Sequence, residues 1–223
     1  MMRARNHFRF CSSFNLVALL VAALLAPLAA SRADILYMSD FGAGKIEKYD
    51  LSTGADLGAF ATGLNAATGL AFDSAGNLYA ANSGSSTIEK FTPGGVGSVF
   101  ATTGLSYPFG LAFDSAGNLY AGNMGNGTIE KIAPDGTASL FASTTGSNRP
   151  QGLAFDSAGN LYVALYPNFT VEQFTPGGIG SILPNTGLIQ PNFLAIEQVP
   201  ESSALALLAL GLTGLLALRR RPA

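Results

Sequence analysis

The sequence predicts an all-β fold, on three observations. The run GLAFDSAGNLY at residues 69–79 recurs at 110–120 and 152–162, a period of 41–42 residues. A second run, TIEKF at 87–91, recurs in kind at 128–132 and 170–174. The chain is only 12% charged and holds 27 glycines, which argues against a helical bundle or coiled coil, whose helices need Glu, Lys and Arg. Four short strands per unit of about 40 residues is the signature of a β-propeller blade. The prediction is therefore a β-propeller of about four four-stranded blades.

The elements of one unit follow in order. Residues 70–72 are short and apolar, a first strand. Asp73, Ser74, Ala75 and Gly76 make a turn, because an Asp side chain accepts backbone N–H groups and Gly tolerates positive φ. Residues 77–81 form a second strand, and 82–86 a polar loop. Residues 87–91 alternate in polarity at period 2, as a half-buried strand does. Pro93, Gly94 and Gly95 turn the chain into a fourth strand at 96–101.

The ends of the array set its closure. The first unit begins late: Ile35, Leu36 and Tyr37 match the second strand, and no first strand precedes them. The missing strand reappears at the far end, where residues 191–197 (PNFLAIE) align with 150–156 (PQGLAFD). Pairing of 193–197 with 35–40 is expected to complete the first blade and remove two exposed edges.

The run Gly-Leu-Ala-Phe-Asp-x-x-Gly-Asn-Leu-Tyr-x-Ala-Asn followed by Ile-Glu-Lys-Phe resembles NHL-type propeller repeats. It also resembles the wider gluconolactonase-like and streptogramin-lyase-like group. The resemblance covers about residues 35–198 and implies the propeller fold. That group usually carries six or seven blades. A small ring, a larger ring built by two chains and a loss of repeats are all open here.

Composition bounds the chemistry. The 223 residues include one cysteine, Cys11, and one histidine, His7, so one chain can build neither a disulfide framework nor a His/Cys zinc site. The lyase relatives use a histidine, which the repeat region lacks. Residues 34–198 carry 13 acidic and five basic side chains, a net −8. No basic face is available for nucleic acid.

Gluconolactonase-like relatives hold a divalent cation with acidic and Asn side chains near the central channel. By that resemblance Asp40, Asn82 and Asn123 are the candidates, at equivalent positions after the second strand, with Leu165 interrupting the set. They either hold a weak Ca²⁺ with waters or start polar turns. No other cofactor is expected.

Asp73, Asp114 and Asp156 repeat with the blades and read as turn formers. Glu47, Glu89, Glu130 and Glu172 repeat too, and read as solvated strand faces with cross-strand pairing. The loops that break the repeat carry Tyr107, Arg149 and Tyr166, which are candidates for ligand contact because loops on a rigid scaffold carry function.

Both ends read as addresses. Arg3, Arg5 and Arg9 precede an apolar run at 16–26, and small residues follow, so residues 1–33 read as a secretory signal peptide. Val199, Pro200 and Glu201 precede an apolar run at 204–218 and then Arg219, Arg220 and Arg221. This layout at 199–223 resembles the PEP-CTERM sorting signal, with Ser202 in place of the second proline of the usual motif. The resemblance implies a short transmembrane helix, transient anchoring in the inner membrane, processing by an exosortase-type enzyme, and a final place at the cell surface or outside the cell. The expected function is that of an exported, non-enzymatic binding or structural module whose partner is an extracellular polysaccharide or protein. The alternative is a metal-dependent hydrolase of the gluconolactonase type.

Overall fold

The computed structural model describes residues 34–184, 188 and 191–197. The expected signal peptide at 1–33 and the expected sorting segment at 199–223 lie outside the described residues. No helix among the described residues is long and apolar enough to cross a membrane.

Among the described residues fifteen strands form four antiparallel sheets, as the repeat predicts. The first sheet holds β1 (Ile35–Asp40), β2 (Lys45–Asp50) and β3 (Asp56–Thr62). The second holds β4 (Ala67–Phe72), β5 (Leu78–Asn82), β6 (Thr87–Phe91) and β7 (Gly97–Ala101). The third holds β8 (Pro108–Phe113), β9 (Leu119–Asn123), β10 (Thr128–Ile132) and β11 (Ala138–Ser143). The fourth holds β12 (Arg149–Phe155), β13 (Leu161–Tyr166), β14 (Thr170–Phe174) and β15 (Gly180–Ile182).

The repeated turn forms for the expected reason. Asp73 accepts the backbone N–H groups of Ala75 and Asn77 on one oxygen, and the Asn77 amide on the other. Asp114 and Asp156 repeat this arrangement with Asn118 and Asn160. The glycine of each turn has φ near +80°, a conformation only Gly adopts at little cost.

Packing between blades explains the repeated aromatics. Tyr79 lies edge-on to Phe100 of its own blade at 4.9 Å and to Phe113 of the next at 5.0 Å. Tyr120 sits likewise between Phe141 and Phe155, and Tyr37 between Phe60 and Phe72. Such edge-to-face pairs add about 0.5–1.5 kcal/mol each beyond the area they bury. The inner strands approach until backbone meets backbone: a Cβ on Gly69 would lie 2.2 Å from the Phe109 carbonyl oxygen, and one on Gly110 would lie 2.0 Å from that of Gln151.

Two expectations are corrected. The closing pair does not form within the chain, because β1 pairs with β2 alone and the first sheet keeps three strands. Residues 192–194 lie instead against Gly152, where Asn192 O and Phe193 Cα would be 2.7 Å from a Cβ. The segment thus continues the array as the next inner strand position, one step beyond β12.

The repeated glutamates are not uniformly solvated either. Glu130 and Glu172 are buried, and Glu89 takes a hydrogen bond from the Asn82 amide. Period-2 alternation assigns a residue to one face of a strand, but both faces of a propeller blade are covered by neighbours.

Candidate functional site

The register gathers the sequence candidates at one end of the sheets. Asn82 stands opposite Ala67, Asn123 opposite Pro108, Arg149 opposite Tyr166, and Leu165 opposite Pro150. Asp40 ends β1 at the equivalent position, and Tyr107 immediately precedes β8. All six candidate residues therefore lie where inner strands begin and second strands end.

The polar three are held by their own loops. Asn82 accepts the Asn65 N–H and donates to Glu89 Oε1 at 2.8 Å. Asn123 is fully buried, accepts the Ser106 N–H at 3.0 Å, and donates to Gly104 O and Thr128 Oγ1. Asp40 is half-buried and accepts the Ala43 N–H at 2.9 Å. Both amide oxygens already hold a backbone N–H, so a cation would have to compete with loop bonds. No group of three or more His, Cys, Asp or Glu side chains stands at metal-binding distance among the described residues.

The remaining three are arranged differently. Arg149 and Tyr166 are direct cross-strand partners and both are exposed. Phe169 lies edge-on to Tyr166 at 5.8 Å. Tyr107 is exposed and has φ +51°, and Phe169 has φ +54°. Large side chains at positive φ are strained by about 1–2 kcal/mol. At the position of Phe169 the first, second and third blades place Gly44, Ser86 and Gly127, all at positive φ.

A second feature escaped the sequence reading. Each inner strand carries a bulge between Ala67 and Leu70, Pro108 and Leu111, or Pro150 and Leu153. Along the axis these strands line a cleft of about 170 Å³, bounded by Gly69, Gly110, Gly152, Gln151 and Phe193 among others. Gln151 Oε1 is buried with no hydrogen-bond partner among the described residues. The available signal was a single variable position inside a repeated strand: Thr68, Phe109 and Gln151 stand at the same place.

Glu130 is the described carboxyl most at odds with its surroundings. Burial pushes its pKa above the ordinary glutamate value, and the Thr128 hydroxyl only partly offsets this. A carboxyl raised on folding destabilises the fold above its folded pKa, and the cost fades as pH falls toward the unfolded value. Glu130→Gln is expected to raise the Tm at pH 7 by about 2–4 °C, the equivalent of roughly 1 kcal/mol for a chain of this size. The gain should vanish near pH 4. Thermal melts at both pH values test this, and a gain independent of pH refutes it.

Four blade-like sheets of antiparallel strands, packed face to face about an axis, define a β-propeller. Comparison with solved structures shows the same fold. A catalytically inactive virginiamycin B lyase from Staphylococcus aureus, solved with quinupristin, superposes with a TM-score of 0.60 at 18% identity, over 72% of this chain and 54% of the lyase. A gluconolactonase from Xanthomonas campestris superposes with a TM-score of 0.62 at 17% identity, over 74% of this chain and 63% of the enzyme. A chain of a nidogen/laminin complex superposes with a TM-score of 0.60 at 26% identity, over 71% and 64%. This chain spans about half the length of the lyases it matches. No protein-family model and no curated protein sequence matches it.

These likenesses correct the expectation that the chain is no enzyme. That expectation rested on the missing histidine and on carboxylates repeating with the blades. The same scaffold serves lyases and a gluconolactonase at 17–20% identity, so those two features do not remove catalysis from its range.

Proposed function

We propose that the chain is an exported β-propeller that binds an extracellular polymer on the sheet-end face carrying Tyr107, Arg149 and Tyr166. One observation carries this reading: the repeat breaks its symmetry there with the exposed side chains of Tyr107, Arg149 and Tyr166, and Tyr107 is held at positive φ. Residues 1–33 would direct export. Residues 199–223 would hold the chain in the inner membrane until an exosortase-type enzyme acts at Val199, Pro200 and Glu201, leaving it at the cell surface or in the matrix.

The ligand class follows from charge. The repeat region carries a net −8, which opposes polyanions. Aromatic faces and one guanidinium fork suit the rings and hydroxyl groups of a neutral polysaccharide. Migration of the purified chain should be retarded in a native gel cast with dextran. Arg149→Ala and Tyr166→Ala should each remove most of the retardation. Absence of retardation, or retardation unchanged in both variants, refutes the reading.

The gluconolactonase likeness favours one second reading, a metal-dependent lactone hydrolase using Asp40, Asn82 and Asn123. Both amides are engaged in loop bonds, so a cation would have to displace those bonds to bind there. Lactone hydrolysis lost in Asp40→Ala would select this reading over the first.

A further inference from the structure

The two ends of the array are halves of one blade-to-blade interface. In the second to fourth blades, the residues facing the preceding blade are closed off: Leu78, Leu119 and Leu161 are 0–1% exposed, and Ala80, Ala121 and Val163 are 0% exposed. Their equivalents in the first blade, Leu36 and Met38, are 41% and 44% exposed. Tyr49 is half-buried where Phe91, Ile132 and Phe174 are buried. The first blade thus presents an apolar face built to meet a preceding blade.

The other end has the complementary lack. Tyr79 and Tyr120 are buried by the next blade, whereas Tyr162 is only partly buried. Val171 is half-buried where Ile88 and Ile129 are fully buried. Beyond β12 the chain supplies one inner-strand segment, residues 191–197, with Phe193 72% and Ile196 37% exposed. Among the described residues no further strand pairs with that segment. Three strands without an inner strand stand at the other end, as β1, β2 and β3.

We propose that two copies of this chain join head to tail into one closed ring, each copy's residues 191–197 serving as the inner strand on the β1 edge of the other. The matching parts are self-complementary, so two contacts of one kind close the ring without leaving an edge. The strand need not be exchanged out of its fold. It already lies against Gly152 as β8 lies against Gly69 and β12 against Gly110, and the second copy docks onto it. The axial cleft lined by Gln151 and Phe193 is then one side of a channel that the second copy completes. This inference does not depend on the polymer-binding reading.

The repeat fixes the register. Leu70 pairs with Ala80, Leu111 with Ala121 and Leu153 with Val163. By the same rule Leu194 pairs with Met38 of the other copy, and Ile196 with its Leu36.

The test uses full-length chains carrying Cys11→Ser. Met38→Cys and Leu194→Cys are placed in separate chains with different tags, mixed and oxidised. A disulfide-linked heterodimer is expected, at several times the yield given by a Thr53→Cys control in an exposed turn. A chain with both substitutions should give linked dimers. If that double variant yields only internally bridged monomers, the ring closes within one chain and the proposal falls. Ladders longer than two copies refute closure at two. As a check free of substitutions, the unaltered chain should sediment as a dimer in density-matched detergent, and a monomer there overturns the proposal.

Discussion

Gly110→Ala is expected to unfold the array at temperatures where the parent chain is stable. A Cβ at this position would lie 2.0 Å from the Gln151 carbonyl oxygen and 2.9 Å from Leu153 Cδ1. The first of these is backbone, so no rotamer change relieves it. One inner strand must retreat from the next, and the blades behind them lose contact through the Tyr120–Phe155 pair. Overpacking alone costs about 1–3 kcal/mol, and the lost interblade contacts take the expected total to roughly 3 kcal/mol, the upper end of the usual range for a single substitution. At about 2–4 °C per kcal/mol, the Tm should fall by roughly 10 °C. Gly94→Ala is the control, since its nearest neighbour is Thr92 Oγ1 at 3.8 Å, and it should melt like the parent. A Gly110→Ala chain that melts within about 2 °C of the parent would show that the inner strands do not meet as closely as drawn.

The blade was legible in the sequence because its residues act locally. Asp73, Gly76 and Asn77 specify their turn within five positions, and the three copies agree. Tyr79, Phe100 and Phe113 could be seen to recur, but not to touch, because their contact crosses from one blade to the next. The same gap hid the burial of Glu130 and Glu172. Alternation separates the faces of a strand without saying what covers each face. The axial position of Gln151 was masked by its neighbours: Pro150 and Gly152 repeat, and the residue between them varies. Closure was half legible. The alignment of 191–197 with 150–156 identifies an inner strand, but a pairing rule between repeats is blind to which copy of the chain supplies the partner.

Asn123→Asp separates a loop clamp from a cation ligand, and is expected to be costly. Asn123 is fully buried, and its amide nitrogen donates to Gly104 O at 2.8 Å and Thr128 Oγ1 at 2.9 Å. Aspartate keeps the acceptor for the Ser106 N–H but sets a second carboxylate oxygen against the Gly104 carbonyl. Desolvation and that repulsion both disfavour the charged form, so the folded pKa of the new carboxyl should rise. An acid raised on folding costs stability above its folded pKa and regains it as pH falls. Urea titrations should therefore show a loss of about 3–5 kcal/mol at pH 7, the range for an uncompensated buried charge, and a smaller loss near pH 4.5, where the protonated carboxyl can donate to Gly104 O. Added Ca²⁺ should change neither value, because the side chain is fully buried in its loop and no group of three or more His, Cys, Asp or Glu side chains that could hold a cation stands among the described residues. If instead Ca²⁺ restores the variant, or raises its stability above the parent's, the amide position is a cation site and the lactonase reading gains its missing ligand.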